Sequence, residues 1–147
     1  MHVNIIFSEP NFKMRTAEAK QYIYDRFRRK YVLLTPEEWV RQNLLSTLIT
    51  NYAYPSGLIA VEKMLRINNL NKRYDAVVFD KNRSPWMLIE CKAPEVILSE
   101  DTLMQTLNYY SMLQCPYLMI SNGQHTHIAA IDSEGFRWLD SVPAYNL

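Results

Sequence analysis

The sequence has little of several features that would assign it to a common class. Its 147 residues include three glycines and two cysteines, and the formal net charge is +1. So few glycines argue against a loop-dominated fold. Two cysteines, Cys91 and Cys115, are too few for a disulfide framework or a cysteine zinc site, so a reduced, cytoplasmic setting is expected. A charge near zero gives no overall basic field, so any contact with nucleic acid would be local.

Two further patterns are missing. No run of about 18 apolar residues occurs and the N-terminus lacks the apolar core of a signal peptide, which predicts a soluble protein without membrane association. No GxxxxGK phosphate loop occurs, which argues against an ATP-driven motor. With 48% hydrophobic residues the chain can bury a core, and its length predicts one domain over residues 1–147, of which 1–21 are hard to assign. Within that segment, residues 3–7 could form a short edge strand.

Two short apolar runs joined by a polar link carry the chemical argument. The runs 76–79 and 86–89 have the pattern of two strands connected by a tight loop. The first run directly follows Asp75, and the second leads into Glu90 and Lys92. Residues two apart on a strand face the same side, so Glu90 and Lys92 share a face, and Asp75 can lie alongside them on the neighbouring strand.

This arrangement could support metal chemistry. Two carboxylates and the nearby Cys91 carbonyl are hard oxygen ligands of the kind that Mg²⁺ accepts. Lys92 beside such a metal could orient a water or stabilise charge on a phosphate. A hairpin with a surface ion pair explains the same residues without a metal, and so short a pattern does not decide between them.

Two other candidate sites have weaker support. Cys91 with His125 could suggest a thiol hydrolase, but Cys91 faces away from Glu90 and Lys92 on its strand. His125 and His127 alternate on one face of a strand, but no third ligand is evident, so surface or packing roles are expected.

A long helix is expected to begin at Thr35. Threonine at the cap, Pro36 at the first helical position and Glu38 three residues after the cap form a complete start signal. Residues 55–57, Pro-Ser-Gly, are expected to end it. Its apolar residues recur with helical period at Trp39, Val40, Leu44, Leu45, Leu48, Ile49 and Tyr52.

A second helix is expected after Ser99, the capping residue. Its apolar stripe should comprise Leu103, Leu107, Tyr110 and 112–113. Gln105 and Tyr109 are four residues apart and share one face. They could point towards the Glu90–Lys92 pair or form a polar pair on an exposed face.

The remaining segments complete an α/β sandwich around a central mixed sheet. Residues 58–67 are expected to form a core strand with Glu62 in its middle, and 68–71 a turn. Residues 117–121, 125–131 and 136–139 are expected to form further strands, with a hairpin turn at Asn122-Gly123.

Four basic residues occur among aromatic residues between Tyr22 and Leu34. They could form a patch that contacts phosphates, or the solvated face of a short helix, and we expect them to lie away from the metal site. These residues are Arg26, Arg28, Arg29 and Lys30.

Several motifs, taken together and in order, carry a family resemblance over residues 22–123. They make the chain resemble the N-terminal nuclease domain of type I restriction enzyme R subunits, in a small stand-alone form, within the PD-(D/E)xK nuclease superfamily. The motifs are Leu-Thr-Pro-Glu-Glu-Trp-Val-Arg-Gln (34–42), Val-Glu-Lys (61–63), Lys-Arg-Tyr-Asp (72–75), Ile-Glu-Cys-Lys-Ala-Pro (89–94), Gln105-x-x-x-Tyr109 and Ser-Asn-Gly (121–123).

The resemblance implies a restriction-endonuclease-like sandwich and Mg²⁺-dependent (or Mn²⁺-dependent) hydrolysis of DNA. Partners would be DNA and other restriction-system subunits. The metal ligands would be Asp75, Glu90 and the Cys91 carbonyl, with Lys92 positioning the attacking water. The supporting residues would be Gln105, Tyr109, Glu38, Arg41 and Glu62.

Some points stay open under this resemblance. Capping explains Glu38 as well as an active-site role does. Tyr74 stands where the superfamily name has proline, at a position that is not a ligand. A non-cutting accessory module of the same fold and a nuclease of RNA are both compatible with the sequence.

Overall fold

In the computed structural model, residues 2–67, 70–110 and 115–145 are described. They form two α-helices, a short 3-10 helix at Ser56–Leu58, a three-stranded sheet and a six-stranded sheet. The α-helices are α1 (Pro36–Tyr52) and α2 (Glu100–Tyr110). The small sheet contains β1 (Met14–Ala17), β2 (Lys20–Asp25) and β3 (Lys30–Leu33), and the large sheet contains β4 (Ile59–Ile67), β5 (Leu70–Phe79), β6 (Pro85–Cys91), β7 (Tyr117–Ser121), β8 (Thr126–Asp132) and β9 (Gly135–Trp138).

The large sheet is mixed. Its strands follow chain order, and every neighbouring pair is antiparallel except β6 and β7. Parallel neighbours need a long crossover connection, and α2 lies within the connection between these two strands. The predicted α/β fold with a central mixed sheet is therefore confirmed.

Each face of the large sheet is covered by one helix. On one face, Leu44 and Leu48 of α1 pack in a buried cluster with Ile89 and other strand residues. On the other face, Leu103 and Leu107 of α2 belong to a second cluster with the inward side chains of β5 to β8. Helices on both sides of one sheet make the sandwich that the sequence predicts.

Both helices begin as predicted. The Thr35 hydroxyl accepts a hydrogen bond from the Glu38 backbone N–H at 3.0 Å, and the Ser99 hydroxyl accepts one from Thr102 N–H at 3.2 Å. α1 ends earlier than expected, because Ala53 adopts a left-handed conformation with φ 58°. The continuation of the α2 stripe into 112–113, and residues 68–69 of the predicted turn, lie outside the described residues. Neither described helix is long and apolar enough to cross a membrane.

The N-terminal part corrects two expectations. Residues 22–34 do not form a helix but most of the β2–β3 hairpin, whose turn is held by the Asp25 carboxylate accepting from Phe27 N–H at 2.8 Å. The edge strand expected at residues 3–7 is also wrong, since only Val3 pairs, through a single bridge to Thr126. The following chain runs over α1, where Ser8 N–H donates to the Thr47 hydroxyl at 3.0 Å.

Pairing between β4 and β5 is interrupted at one position. The residues on either side are in register, but Glu62 and Asp75 are not paired, and Glu62 has a positive φ of 52°. Tyr74 packs in the cluster on the α2 side, whereas Ala76 packs in the cluster on the α1 side. Strict alternation would place Tyr74 and Ala76 on one face, so β5 changes face at Asp75.

Candidate active site

A small polar pocket lies where the start of α1 approaches strands β4 to β6. Its volume is about 70 Å³, a size for an ion or a few waters rather than for a large ligand. The chain contributes four acids and an arginine to it from three separate elements, α1, β4 and β5. Its lining residues are Thr35, Glu37, Glu38, Arg41, Glu62, Asp75 and Cys91.

Asp75 is held at the end of β6. It lies one residue before Ala76, which pairs with Ile89, and its Oδ2 accepts a hydrogen bond from Cys91 N–H at 2.6 Å. Burial raises the pKa of Asp75 to about 6, and the charge of Glu90 adds to this, while the Cys91 N–H and the charge of Arg41 lower it. Asp75 is therefore an acid whose charged form is poorly compensated by the protein.

Glu90 lies towards α2. Its Oε2 accepts a hydrogen bond from the Tyr110 hydroxyl at 2.8 Å, and Tyr110 is 2% exposed. Burial and the adjacent Glu90 carboxylate raise the pKa of Tyr110, so this phenol stays a donor. Sequence reasoning placed Tyr110 only in the apolar stripe. A tyrosine in such a stripe needs a partner for its hydroxyl, and that requirement could have indicated this contact.

Asp75 and Glu90 thus lie on different sides of the end of β6: Asp75 contacts Cys91 N–H beside the polar pocket, and Glu90 contacts Tyr110 of α2. They are near enough for the charge of Glu90 to raise the pKa of Asp75, but Glu90 and Lys92 do not line the polar pocket. Lys92 is half-buried, and its backbone N–H donates to the Ser121 carbonyl at 2.8 Å. Within the described ranges, no acid lies within ion-pair distance of its ammonium, so the surface ion pair considered from the sequence does not form there.

Glu38 lies in the first turn of α1, where its backbone N–H donates to the Thr35 cap and its side chain organises the pocket. Its side chain is 8% exposed, and its carboxylate receives four hydrogen bonds. Oε1 accepts from Arg28 Nη2 at 2.8 Å and from Arg41 Nη2, and Oε2 accepts from Arg41 Nε at 3.2 Å and Gln42 Nε2 at 3.1 Å. A carboxylate has about four lone-pair sites, so Glu38 is saturated by protein donors in this arrangement.

Arg41 links Glu38 to Glu62. Its Nη1 donates to Glu62 Oε1, and Arg73 Nε donates to Glu62 Oε2 at 2.9 Å. Burial by itself would lower the pKa of Arg41, but the hydrogen bonds and charges of Glu38 and Glu62 raise it instead. The expected supporting residues Glu38, Arg41 and Glu62 are therefore brought together beside Asp75.

The predicted basic patch is divided. Arg26, Arg29 and Lys30 are exposed, as a phosphate-contacting patch would be. Arg28 turns inwards and contacts Glu38, so the expectation that all four residues lie away from the candidate metal site does not hold for Arg28. The reason is the Asp25 carboxylate, which pairs with Arg28 and fixes its direction.

The two α2 residues expected to support the site are exposed and do not line the polar pocket. Gln105 is exposed, and Tyr109 is 51% exposed. The Lys72 ammonium lies 5.0 Å from the centre of the Tyr109 ring and 5.6 Å from that of Tyr110. The side chain of α2 that reaches Glu90 is Tyr110, one residue beyond the expected pair.

The histidines and Cys91 do not form a second catalytic site. His2 packs its ring against His125 and His127, with ring centroids 5.9 and 6.3 Å apart. No group of three His, Cys, Asp or Glu residues in the described part of the chain is arranged to hold a metal. Burial raises the pKa of the Cys91 thiol, which disfavours the thiolate that a nucleophile needs.

Replacing Asp75 with Asn should remove a pH dependence of stability. The unfolded acid has a pKa of about 3.9 and the native acid about 6, so between these values the native state retains a proton that the unfolded state has released. The free energy of unfolding should therefore fall as pH rises from about 4 to about 6, by an amount on the order of 2 kcal/mol. Urea unfolding in EDTA across this range, with Asp140→Asn as an exposed control, measures it. An equal slope in wild type and Asp75→Asn would contradict the expectation.

The architecture defines the chain as an α/β protein of nuclease-like fold. Its structure is similar to the crystal structure of a candidate nuclease of the DUF820 group from Anabaena variabilis ATCC 29413. The TM-score is 0.50 at 13% sequence identity, over 95% of this chain and 84% of the other. At that identity the likeness shows the fold.

Residues 36–143 match the model of the family described as type I restriction enzyme R protein N terminus. The chain belongs to this family, which confirms the resemblance drawn from the motifs. The comparison with curated proteins found no match.

Proposed function

We propose that the chain is a Mg²⁺-dependent nuclease that hydrolyses phosphodiester bonds in DNA. One observation carries the proposal above the others. Asp75, in the middle of β5, and Glu90, near the end of β6, lie on adjacent strands, and each carboxylate accepts one hydrogen bond from the described residues. Lys92, which forms no ion pair within the described part of the chain, follows Glu90 by two residues. The family membership and the nuclease-like fold support the same assignment.

The donor set suits a hard divalent cation. Asp75 accepts one hydrogen bond from Cys91 and Glu90 accepts one from Tyr110, so each carboxylate keeps lone pairs for a further ligand. Glu38, with four donors, does not. Mg²⁺ typically binds through one or two carboxylates and keeps several waters, so Asp75 and Glu90, with the Cys91 carbonyl, would hold it without a third acidic side chain.

The protein residues would then have distinct roles. When bound, Mg²⁺ polarises a phosphoryl oxygen and lowers the pKa of a water. Lys92 would orient the attacking water or stabilise charge on the phosphate. Cys91 N–H holds Asp75 and the Tyr110 hydroxyl holds Glu90, so both acids are oriented before substrate binds.

The surface near Glu90 suits nucleic acid. The half-exposed ring of Tyr109 offers an area for stacking, and Lys72 beside it offers a cation for a phosphate. The exposed residues Arg26, Arg29 and Lys30 would add sequence-independent phosphate contacts. We further propose a cytoplasmic role in restriction or DNA processing, with other restriction-system subunits as partners.

The test is cleavage by the purified chain. We expect slow cutting of DNA with Mg²⁺ or Mn²⁺ and none with EDTA, with RNA of the same sequence as a parallel substrate. Calorimetric titration of Mn²⁺ should show weak binding. DNA binding without cutting would favour the accessory module of the same fold. No Mn²⁺ binding at millimolar concentration, even with DNA present, would exclude the catalytic role.

A further inference from the structure

One residue of the β2–β3 turn is built into the candidate active site, although the turn precedes the family match at residues 36–143. Asp25, at the start of the turn, is 1% exposed. The Arg28 side chain is 25% exposed, whereas its neighbours Arg26 and Arg29 are exposed. The turn therefore presents one arginine inwards and leaves adjacent ones to solvent.

Asp25 fixes the direction of Arg28. Its Oδ1 accepts from Phe27 N–H at 2.8 Å and from Arg28 N–H at 3.4 Å, and its Oδ2 accepts from Arg28 Nε. The guanidinium is thus oriented by its own turn. The Arg28 guanidinium is planar and is already ordered by Asp25 through Nε. Little additional side-chain entropy is therefore lost when its Nη2 contacts Glu38.

From Arg28 a continuous line of ion pairs enters the pocket. It contains three acids and three arginines in alternation, so its formal charges cancel: Asp25, Arg28, Glu38, Arg41, Glu62 and Arg73. Asp75 lines the same pocket but forms none of these pairs. The arginines are committed to Asp25, Glu38 and Glu62, and this leaves the Asp75 carboxylate available.

We propose that Arg28 is a positioning residue for the metal site. Arg28 and Arg41 both donate to Glu38. Through this shared contact, Arg28 keeps the Arg41 guanidinium in the position from which it donates to Glu62. Arg41 then does not pair with Asp75. Without Arg28, Glu38 loses one of its four donors, and Arg41 is free to rearrange within the pocket and compete with a metal for Asp75. This inference rests on the proposed function, because it takes Asp75 and Glu90 as the metal ligands.

The experiment is a calorimetric Mn²⁺ titration of the full chain without DNA, on wild type, Arg28→Gln and Arg28→Lys. Losing an outer partner of a metal ligand typically costs about 10–100-fold in affinity. Arg28 acts one contact further out, through Glu38 and Arg41, so for Arg28→Gln we expect a loss near the lower end, about 10-fold. Arg28→Lys should be intermediate, because an ammonium keeps the charge but cannot bridge two carboxylates as a fork does. Arg26→Gln and Arg29→Gln, from the same turn, are the matched controls and should bind Mn²⁺ as wild type does.

The outcomes separate the two proposals. If wild type binds no Mn²⁺, the proposed function fails. If wild type binds and Arg28→Gln binds equally, the role of Arg28 is overturned while the proposed function stands. An equal loss in Arg26→Gln and Arg29→Gln would also overturn it, since that result means a general charge effect. Thermal unfolding checks that each variant is folded. If Arg28→Gln is not folded, the Mn²⁺ affinity of Arg28→Lys decides whether Arg28 has the proposed role: weaker binding than wild type supports it, and equal binding overturns it.

Discussion

Replacing Asp75 or Glu90 with alanine should abolish both Mn²⁺ binding and DNA cleavage, whereas Lys92→Ala should abolish cleavage and leave Mn²⁺ binding largely intact. The two acids would be metal ligands, and a lysine ammonium is a donor that cannot be one. For Lys92→Ala we expect a fall in the cleavage rate of about 10²–10³-fold, the usual effect of removing one group that stabilises transition-state charge. Calorimetry and a cleavage assay on the same preparations measure the two properties separately.

The control for Lys92 is Lys81→Ala, which removes an exposed lysine from the loop of the same hairpin. It should leave both properties unchanged. Lys92→Ala could instead lower stability while none of the Asp75, Glu90 and Lys92 variants changes Mn²⁺ affinity. That result would mean that Asp75 and Glu90 stabilise the fold and do not bind a metal. Cleavage by Lys92→Ala at the wild-type rate would show that Lys92 has no role in phosphodiester hydrolysis.

Arg41→Ala should destabilise the protein by about 3 kcal/mol, the lower end for a broken buried pair, because it removes a buried cation while Glu38 keeps Arg28 and Glu62 keeps Arg73. Glu38 is 8% exposed at its side chain, and Arg41 supplies two of its four donors and one to Glu62. Urea unfolding measures the change. Arg66→Ala, at an exposed position of β4, is the control and should fall within about 0.5 kcal/mol of wild type.

A small effect of Arg41→Ala would contradict the network described for the pocket. The double variant Arg41→Ala with Glu38→Gln gives a second measurement. It should recover part of the lost stability, because the uncompensated charge is removed together with its partner.

Much of the fold could be predicted from local signals. Thr35 and Ser99 begin their helices because a hydroxyl at the cap satisfies a free backbone N–H, a requirement independent of the rest of the structure. The alternation of apolar residues in β6 placed Cys91 and Glu90 on opposite faces, and the structure puts Cys91 in the α1-side cluster and Glu90 against α2.

The features that were missed depend on contacts distant in sequence. The β2–β3 turn has Arg29 at φ 55° where a glycine would have signalled a turn, and the Asp25 carboxylate stabilises it instead. The change of face at Asp75 accompanies a positive φ at Glu62 on the neighbouring strand, and nothing local to either residue indicates it. Tyr110 was assigned only to the core because its partner Glu90 lies on another element.

The unpaired position at Glu62 and Asp75 also divides the β4–β5 pairing into two stretches, and we expect them to differ in local stability. The base, residues 59–61 and 76–78, is anchored in the core. In the distal part, most of residues 63–66 and 71–73 are exposed, with Met64 at 55%, whereas Tyr74 is buried. Amide hydrogen exchange should therefore be slow in the base and faster at the exposed distal residues than at Tyr74, which is held in the α2-side cluster. Since Lys72 and Arg73 belong to the distal part, its opening would withdraw one cation from Tyr109 and another from Glu62 while the core stays protected.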